Sequence, residues 1–270
     1  MKTKSIPLAL IGILPCALAA QTTIFTDTFE NRTAGSQLHG STSSDGNATW
    51  NVAISGERSN ITVEDDSGNS FVQSTVSSGF TLTQFRDTSG NAFRESDFKL
   101  EFDYLYLQSF NDNLDFRLQY RLTDDFLDLD AGGTISGYRV RLKASNGTNP
   151  DSVDWFLETD PTPGGNSLAS GTFDVPNLSV AGNLTPGAPL SVALDVVGDN
   201  HKLTLNGTTV ANITDSQFGG SGEDAMNFKL IDSRNRGFDN VSLTIPELSA
   251  MPVIFGVAAL GFVLTARRRR

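Results

Sequence analysis

Phe98-Lys99-Leu100-Glu101-Phe102-Asp103-Tyr104-Leu105-Tyr106-Leu107 puts rings or Leu at positions 98, 100, 102, 104 and 106. A repeat of two places those five side chains on one face of an extended strand, with Lys99, Glu101 and Asp103 on the other. The pattern recurs along the chain. Leu114, Phe116, Leu118, Tyr120 and Leu122 alternate with Asp115, Arg117, Gln119 and Arg121. Tyr138, Val140 and Leu142 alternate with Arg139, Arg141 and Lys143, and Val192, Leu194 and Val196 form a further stripe. Each stretch reads as a strand with one buried and one wet face, the habit of antiparallel sheets. No helix-period segment falls between Gln21 and Ile245. The chain is therefore expected to be all-β, an antiparallel two-sheet sandwich.

Asn206-Gly207 is the preferred pair for a two-residue type I′ turn. It predicts Leu205 opposite Thr208 and Leu203 opposite Val210, with Lys202 and Thr204 facing away beside Ala211 and Thr209. A one-residue slip would bury Lys202, which pins the register. Pro161, Pro163, Gly164, Gly165, Pro176, Pro186, Gly187 and Pro189 mark a looser region of long surface connections around a short strand at Gly171–Val175.

The two ends carry an address. Residues 1–20 run from Lys2 and Lys4 through an apolar stretch, Ile6 to Leu14, to Ala17-Leu18-Ala19-Ala20, the order of a secretory signal peptide. Pro15 before Cys16 argues against a lipoprotein signal, and removal of the peptide leaves no cysteine, hence no disulfide. Residues 246–270 open on Pro246 and Glu247, run apolar over 250–266 and close on Arg267, Arg268, Arg269 and Arg270. Four guanidinium groups cross a bilayer at high cost, so they stay cytoplasmic and the helix inserts behind them. Residues 21–245 are then a single domain outside the cytoplasm.

Setting aside Lys2, Lys4 and the four terminal arginines leaves 14 of the 20 basic residues against 31 acidic ones, a net charge of −17. Such a surface repels phosphate, so nucleic acid is excluded as a partner. Nine Asn-x-Ser/Thr sequons occur, which chance explains in a chain rich in Asn and Thr.

The tail resembles the PEP-CTERM sorting signal of bacterial exported proteins: a short Pro-Glu motif, one transmembrane helix and an arginine cluster. That resemblance implies an exosortase-type processing enzyme as a partner, transient anchoring in the inner membrane, and a cell-surface or extracellular destination. Pro246-Glu247-Leu248 departs from the usual motif at its third position, and a plain single-pass anchor is the alternative. The body resembles the concanavalin A-like, laminin-G-like jelly rolls of secreted bacterial proteins. Thr26-Asp-Thr-Phe-Glu30 with Trp50-Asn-Val resembles their first strands, Leu190 to Gly207 their penultimate hairpin, and Gly237-Phe-Asp-Asn-Val-Ser-Leu-Thr244 their final strand, returning beside the first.

Candidate chemistry is thin. Glu101 and Asp103 share a strand face, and Glu-Phe-Asp resembles the laminarinase-type Glu-x-Asp-x-x-Glu signature, but its third acid falls on Tyr106. The simpler reading is a pair of solvated carboxylates facing basic residues on a neighbouring strand. His39 and His201 lack zinc spacing and any nucleophile motif, and read as surface or turn residues. Asp112, Asp124, Asp125, Asp128 and Asp130 concentrate oxygen donors beside one strand and make calcium the one cofactor to consider. Sugar recognition needs exposed rings. The tyrosines fall on apolar stripes, which leaves Trp155 as the ring to test. Two functions remain in view. One is a non-enzymatic, surface-sorted protein that binds or builds extracellular polysaccharide. The other is a secreted polysaccharide-active glycoside hydrolase using Glu101 and Asp103.

Overall fold

The four alternating stretches each run as a strand in the computed structural model of the chain. It describes residues 21–52, 55–74, 80–106, 115–122, 136–144, 152–160, 166–176, 188–218, 225–231 and 236–246. In chain order the strands are β1 (Gln21–Asp27), β2 (Ala48–Val52), β3 (Ile61–Asp66), β4 (Asn69–Ser74), β5 (Phe80–Asp87), β6 (Phe98–Tyr106), β7 (Asp115–Leu122) and β8 (Gly137–Ala144). There follow β9 (Ser152–Asp160), β10 (Ser167–Asp174), β11 (Leu190–Val197), β12 (Asn200–Leu205), β13 (Thr208–Thr214), β14 (Ala225–Ile231) and β15 (Arg236–Pro246). One 3₁₀ turn, Ser55–Asn60, is the only helical element among the described residues.

Two sheets result. The first runs β13-β12-β11-β6-β15-β4-β3 with β1 also on β15, and the second runs β10-β9-β8-β7-β14-β5-β2. Twelve strand pairs across the two sheets are antiparallel. Thr22–Ile245 forms one compact unit. Its inner faces meet in a single core: Phe98, Leu100, Phe102 and Tyr104 come from the first sheet, and Phe116, Leu118, Tyr120, Tyr138, Val140 and Leu142 from the second. This is the sheet-on-sheet arrangement that alternation demands. At one end Phe25, Phe29, Trp50, Phe85 and Phe238 pack with ring centroids 4.8–6.4 Å apart, mostly tilted or edge-to-face. Trp50 also donates its indole N–H to Asp27 Oδ2 at 2.6 Å, and Arg32 reaches the same oxygen.

Three expectations change. Asn206 and Gly207 do take positive φ, 45° and 76°, and Leu205 does oppose Thr208. Leu203, however, opposes Ala211 rather than Val210, because a bulge adds one residue to β13 and returns Ala211 to the core. The short strand in the looser region is the longer edge strand β10. Its Gly171 lies against Trp155, where a Cβ would come within 2.9 Å of the indole. The wet face expected on β7 and β8 is also largely dry: Gln119, Arg121 and Arg139 are buried. The return of the last strand beside the first holds, as β1 pairs with β15. No helix among the described residues is long and apolar enough to cross a membrane, and residues 250–266 lie outside them.

Candidate functional site

The outer face of the second sheet gathers charge that the sequence scatters over three strands. Pairing sets Arg117 of β7 beside Arg141 of β8, and Gln119 beside Arg139. On β9, Phe156 then falls beside Arg141 and Glu158 beside Arg139. Glu158 accepts from Arg139 Nε at 2.5 Å and from Arg141 Nη2 at 2.9 Å. The same Arg141 guanidinium lies 3.8 Å from the centre of the Phe156 ring, a cation–π contact. Arg139 and Glu158 are 4% and 5% exposed, whereas Arg117, Arg141, Lys143 and Phe156 are half-buried. A buried, hydrogen-bonded ion pair thus fixes the floor from which cations and a ring emerge.

This face continues to the β5–β2 edge. Gln84 pairs with Asn51 there, and Arg86 donates to Gly90 O and Gln84 Oε1. His39, Asn51, Arg86 and the turn through Gly90 line a groove of about 380 Å³. His39 accepts the Val52 N–H at Nδ1. Burial, then the positive charge of Arg58, holds its pKa below the usual imidazole value.

Glu101 and Asp103 lie elsewhere, on the outer face of the first sheet, so the structure does not bring them together with Trp155. Glu101 pairs with Lys99 of its own strand at 2.7 Å rather than with a basic neighbouring strand; its neighbours in register are Ala193 and Ser242. Trp155 is 6% exposed and packs inward, so it is no sugar platform. The following residue, Phe156, faces outward instead. Asp103 joins Asp66, Asn69, Asp239 and Asn240 around a cleft of about 210 Å³. Asn240 Nδ2 bridges Asp103 Oδ2 at 2.8 Å and Asp239 Oδ2 at 3.3 Å. Burial pushes the Asp239 carboxyl up to about 7; hydrogen bonds from Asn240 and Asn69 oppose this, and the Asp103 and Glu30 charges add to it. A bulge after Asp239, with Asn240 at φ 50°, sets this geometry and was not visible in the sequence.

His201 corrects the surface reading, since it is fully buried. Its Nδ1 meets the Tyr120 hydroxyl at 3.0 Å and its Nε2 meets Asp215 O at 3.1 Å, fitting a neutral ring that donates from Nε2. Tyr138 donates to Asp215 Oδ1, and its pKa is pushed up to about 12 by burial and that bond. The group pins the two sheets together and lines no cleft described above. Asp112, Asp124, Asp125, Asp128 and Asp130 lie outside the described residues, as do Glu247 and Arg267 to Arg270, while Pro246 ends β15. Among the described residues no three acidic, His or Cys side chains are placed to hold a metal ion.

No protein-family model matches this chain, and none of the curated proteins does. Solved structures resemble it at low identity. A carbohydrate-binding module, CBM66, from Bacillus subtilis is 17% identical, covering 72% of this chain and 94% of its own, with a TM-score of 0.44. The catalytic domain of an endo-1,3-beta-glucanase (laminarinase) from Thermotoga petrophila is 9% identical, covering 85% and 100%, at 0.48. A protein with a galectin-like fold from Bacillus subtilis is 9% identical, covering 80% and 99%, also at 0.48. Scores below 0.5 leave ligand and chemistry to this chain's own residues.

Proposed function

We propose that the chain is a non-enzymatic exported protein that binds polysaccharide at the cell surface or in the extracellular matrix. The observation that carries this reading is the outer face of the second sheet, where the half-buried Phe156, Arg117, Arg141 and Asn51 stand beside the buried Arg139–Glu158 pair. Ring faces, amides and guanidinium groups are the side chains that stack on and hydrogen-bond to sugars. Export rests on the ends of the sequence: residues 1–20 as a signal peptide, 21–245 as the exported domain, and 246–270 as a PEP-CTERM-like segment. In that segment helix 250–266 anchors the chain in the inner membrane until an exosortase-type enzyme acts near Pro246 and Glu247.

One observation favours a second reading. Asp239, with its pKa near 7, shares a cleft with Asp103, so a polysaccharide hydrolase would draw on that pair rather than on Glu101 with Asp103. A polysaccharide pull-down alongside a reducing-sugar assay separates the two. Binding without product is expected. Turnover lost in Asp239→Asn or Asp103→Asn would replace the first reading with the second.

A further inference from the structure

We infer that the polysaccharide taken by this face is anionic, bearing carboxylate or sulfate groups; this rests on the polysaccharide-binding reading above. In an exported chain of net charge −17, cations should be sparse and dispersed. Instead Arg86, Arg117, Arg139, Arg141 and Lys143 all stand on the outer face of the second sheet, with Arg117 and Arg141 directly in register; the acids there are fewer, Glu158 between Arg139 and Arg141 and Asp154 opposite Lys143. The first sheet's outer face carries Glu64, Glu101, Asp103, Asp195 and Asp239, and its Lys99 and Lys202 are each tied to an acid, Glu101 and Asp195. The molecule is therefore polar from face to face. A polyanion is repelled by most of its surface and admitted at one side, which selects both ligand and orientation.

The site also displays the contact it would make. Glu158 sits between Arg139 and Arg141, so these guanidinium groups already converge on a carboxylate. Arg141 stacks on Phe156 while doing so, and the half-exposed Arg117 and Lys143 flank it along β7 and β8. Successive outward residues of one strand are about 6.7 Å apart and neighbouring strands about 4.8 Å, a grid of cations suited to repeating charges. From Asn51 to Glu158 the face crosses six strands, roughly 24 Å at that spacing, long enough for several sugar units. A neutral glycan would gain little from this grid yet would still strip water from the arginines, a net cost.

The test uses the purified full chain in mild detergent against polygalacturonate, dextran sulfate, neutral dextran and single-stranded DNA. Polygalacturonate or dextran sulfate is expected to bind at least about tenfold more tightly than neutral dextran, weakening as NaCl rises from about 50 to 300 mM. Which of the two binds tells carboxylate from sulfate. Arg117→Gln with Lys143→Gln should weaken binding about tenfold, while Lys99→Gln with Lys202→Gln, on the opposite face, leaves it unchanged. Arg141→Gln should do at least as much as the first pair. If circular dichroism shows that this variant has lost its fold through Glu158, the Arg117/Lys143 pair carries the test alone. Neutral dextran binding as well as the polyanions, or DNA binding better than either, overturns the anionic assignment. Loss of binding to every glycan overturns the polysaccharide reading itself.

Discussion

Asp27 shows how much one side chain can hold. It is fully buried, and its two oxygens accept from the Trp50 indole, the Arg32 guanidinium, the Ser44 hydroxyl and the Phe29 N–H. Asp27→Ala would leave Arg32 buried without its counter-charge, and should cost about 3–5 kcal/mol in urea unfolding. Asp239 works in the other direction. Its folded pKa, about 7, lies above the ordinary 3.8, so the fold binds a proton that the unfolded chain releases. Stability from that proton is full below about pH 4 and is lost as pH rises to about 7. Asp239→Asn should therefore match the parent near pH 4 and exceed it at pH 8, by an amount on the order of 2–4 kcal/mol. His201 has the opposite sign. Burial lowers its pKa below 6.5, so stability falls as pH drops through 6.5, and His201→Asn should flatten that acid limb in thermal melts.

Strand pairing places tighter limits than residue type suggests. Gly237 of β15 faces Val72 of β4 so closely that a Cβ would lie 2.4 Å from the Val72 carbonyl oxygen. That oxygen is backbone and cannot swing aside. Gly237→Ala should separate the two strands and cost about 1–3 kcal/mol, read as a lower unfolding midpoint. In the sequence this glycine is only the first residue of the stretch that resembles a final strand. The β12–β13 hairpin teaches the same lesson: Asn206-Gly207 announced the turn and Leu205 its first pair, yet the bulge that moved Leu203 onto Ala211 left no local mark. Bulges form where packing against the opposite sheet wins over regular pairing.

At the scale of the molecule the prediction concerns address. Fractionation of producing cells should place the domain 21–245 outside the cytoplasm, held to the inner membrane until residues 246–270 are removed. Replacing Arg267 to Arg270 with alanine should leave the unprocessed chain misoriented or lost from that membrane fraction, read by protease access to intact cells. A full-length chain recovered from the cytosol of unaltered cells would sink this reading. The two outer faces should also differ in what they attract, because arginines concentrate on the second sheet and carboxylates on the first.

Alternation by itself determined that this chain folds as antiparallel sheets around Phe98, Leu100, Phe116, Tyr138 and their like. Period-two patterning is a local property, and burial follows from it. The same logic left the polar side of β7 and β8 looking like solvated surface, and Trp155 as the ring to test for sugar. Only the tertiary structure decided otherwise. Which charges meet depends on the register of strands far apart in sequence, and that register put Glu158 between Arg139 and Arg141, turned Phe156 outward, and left Glu101 and Asp103 on the other sheet. Neighbours across a sheet are set by pairing geometry, which no stretch of a single strand contains.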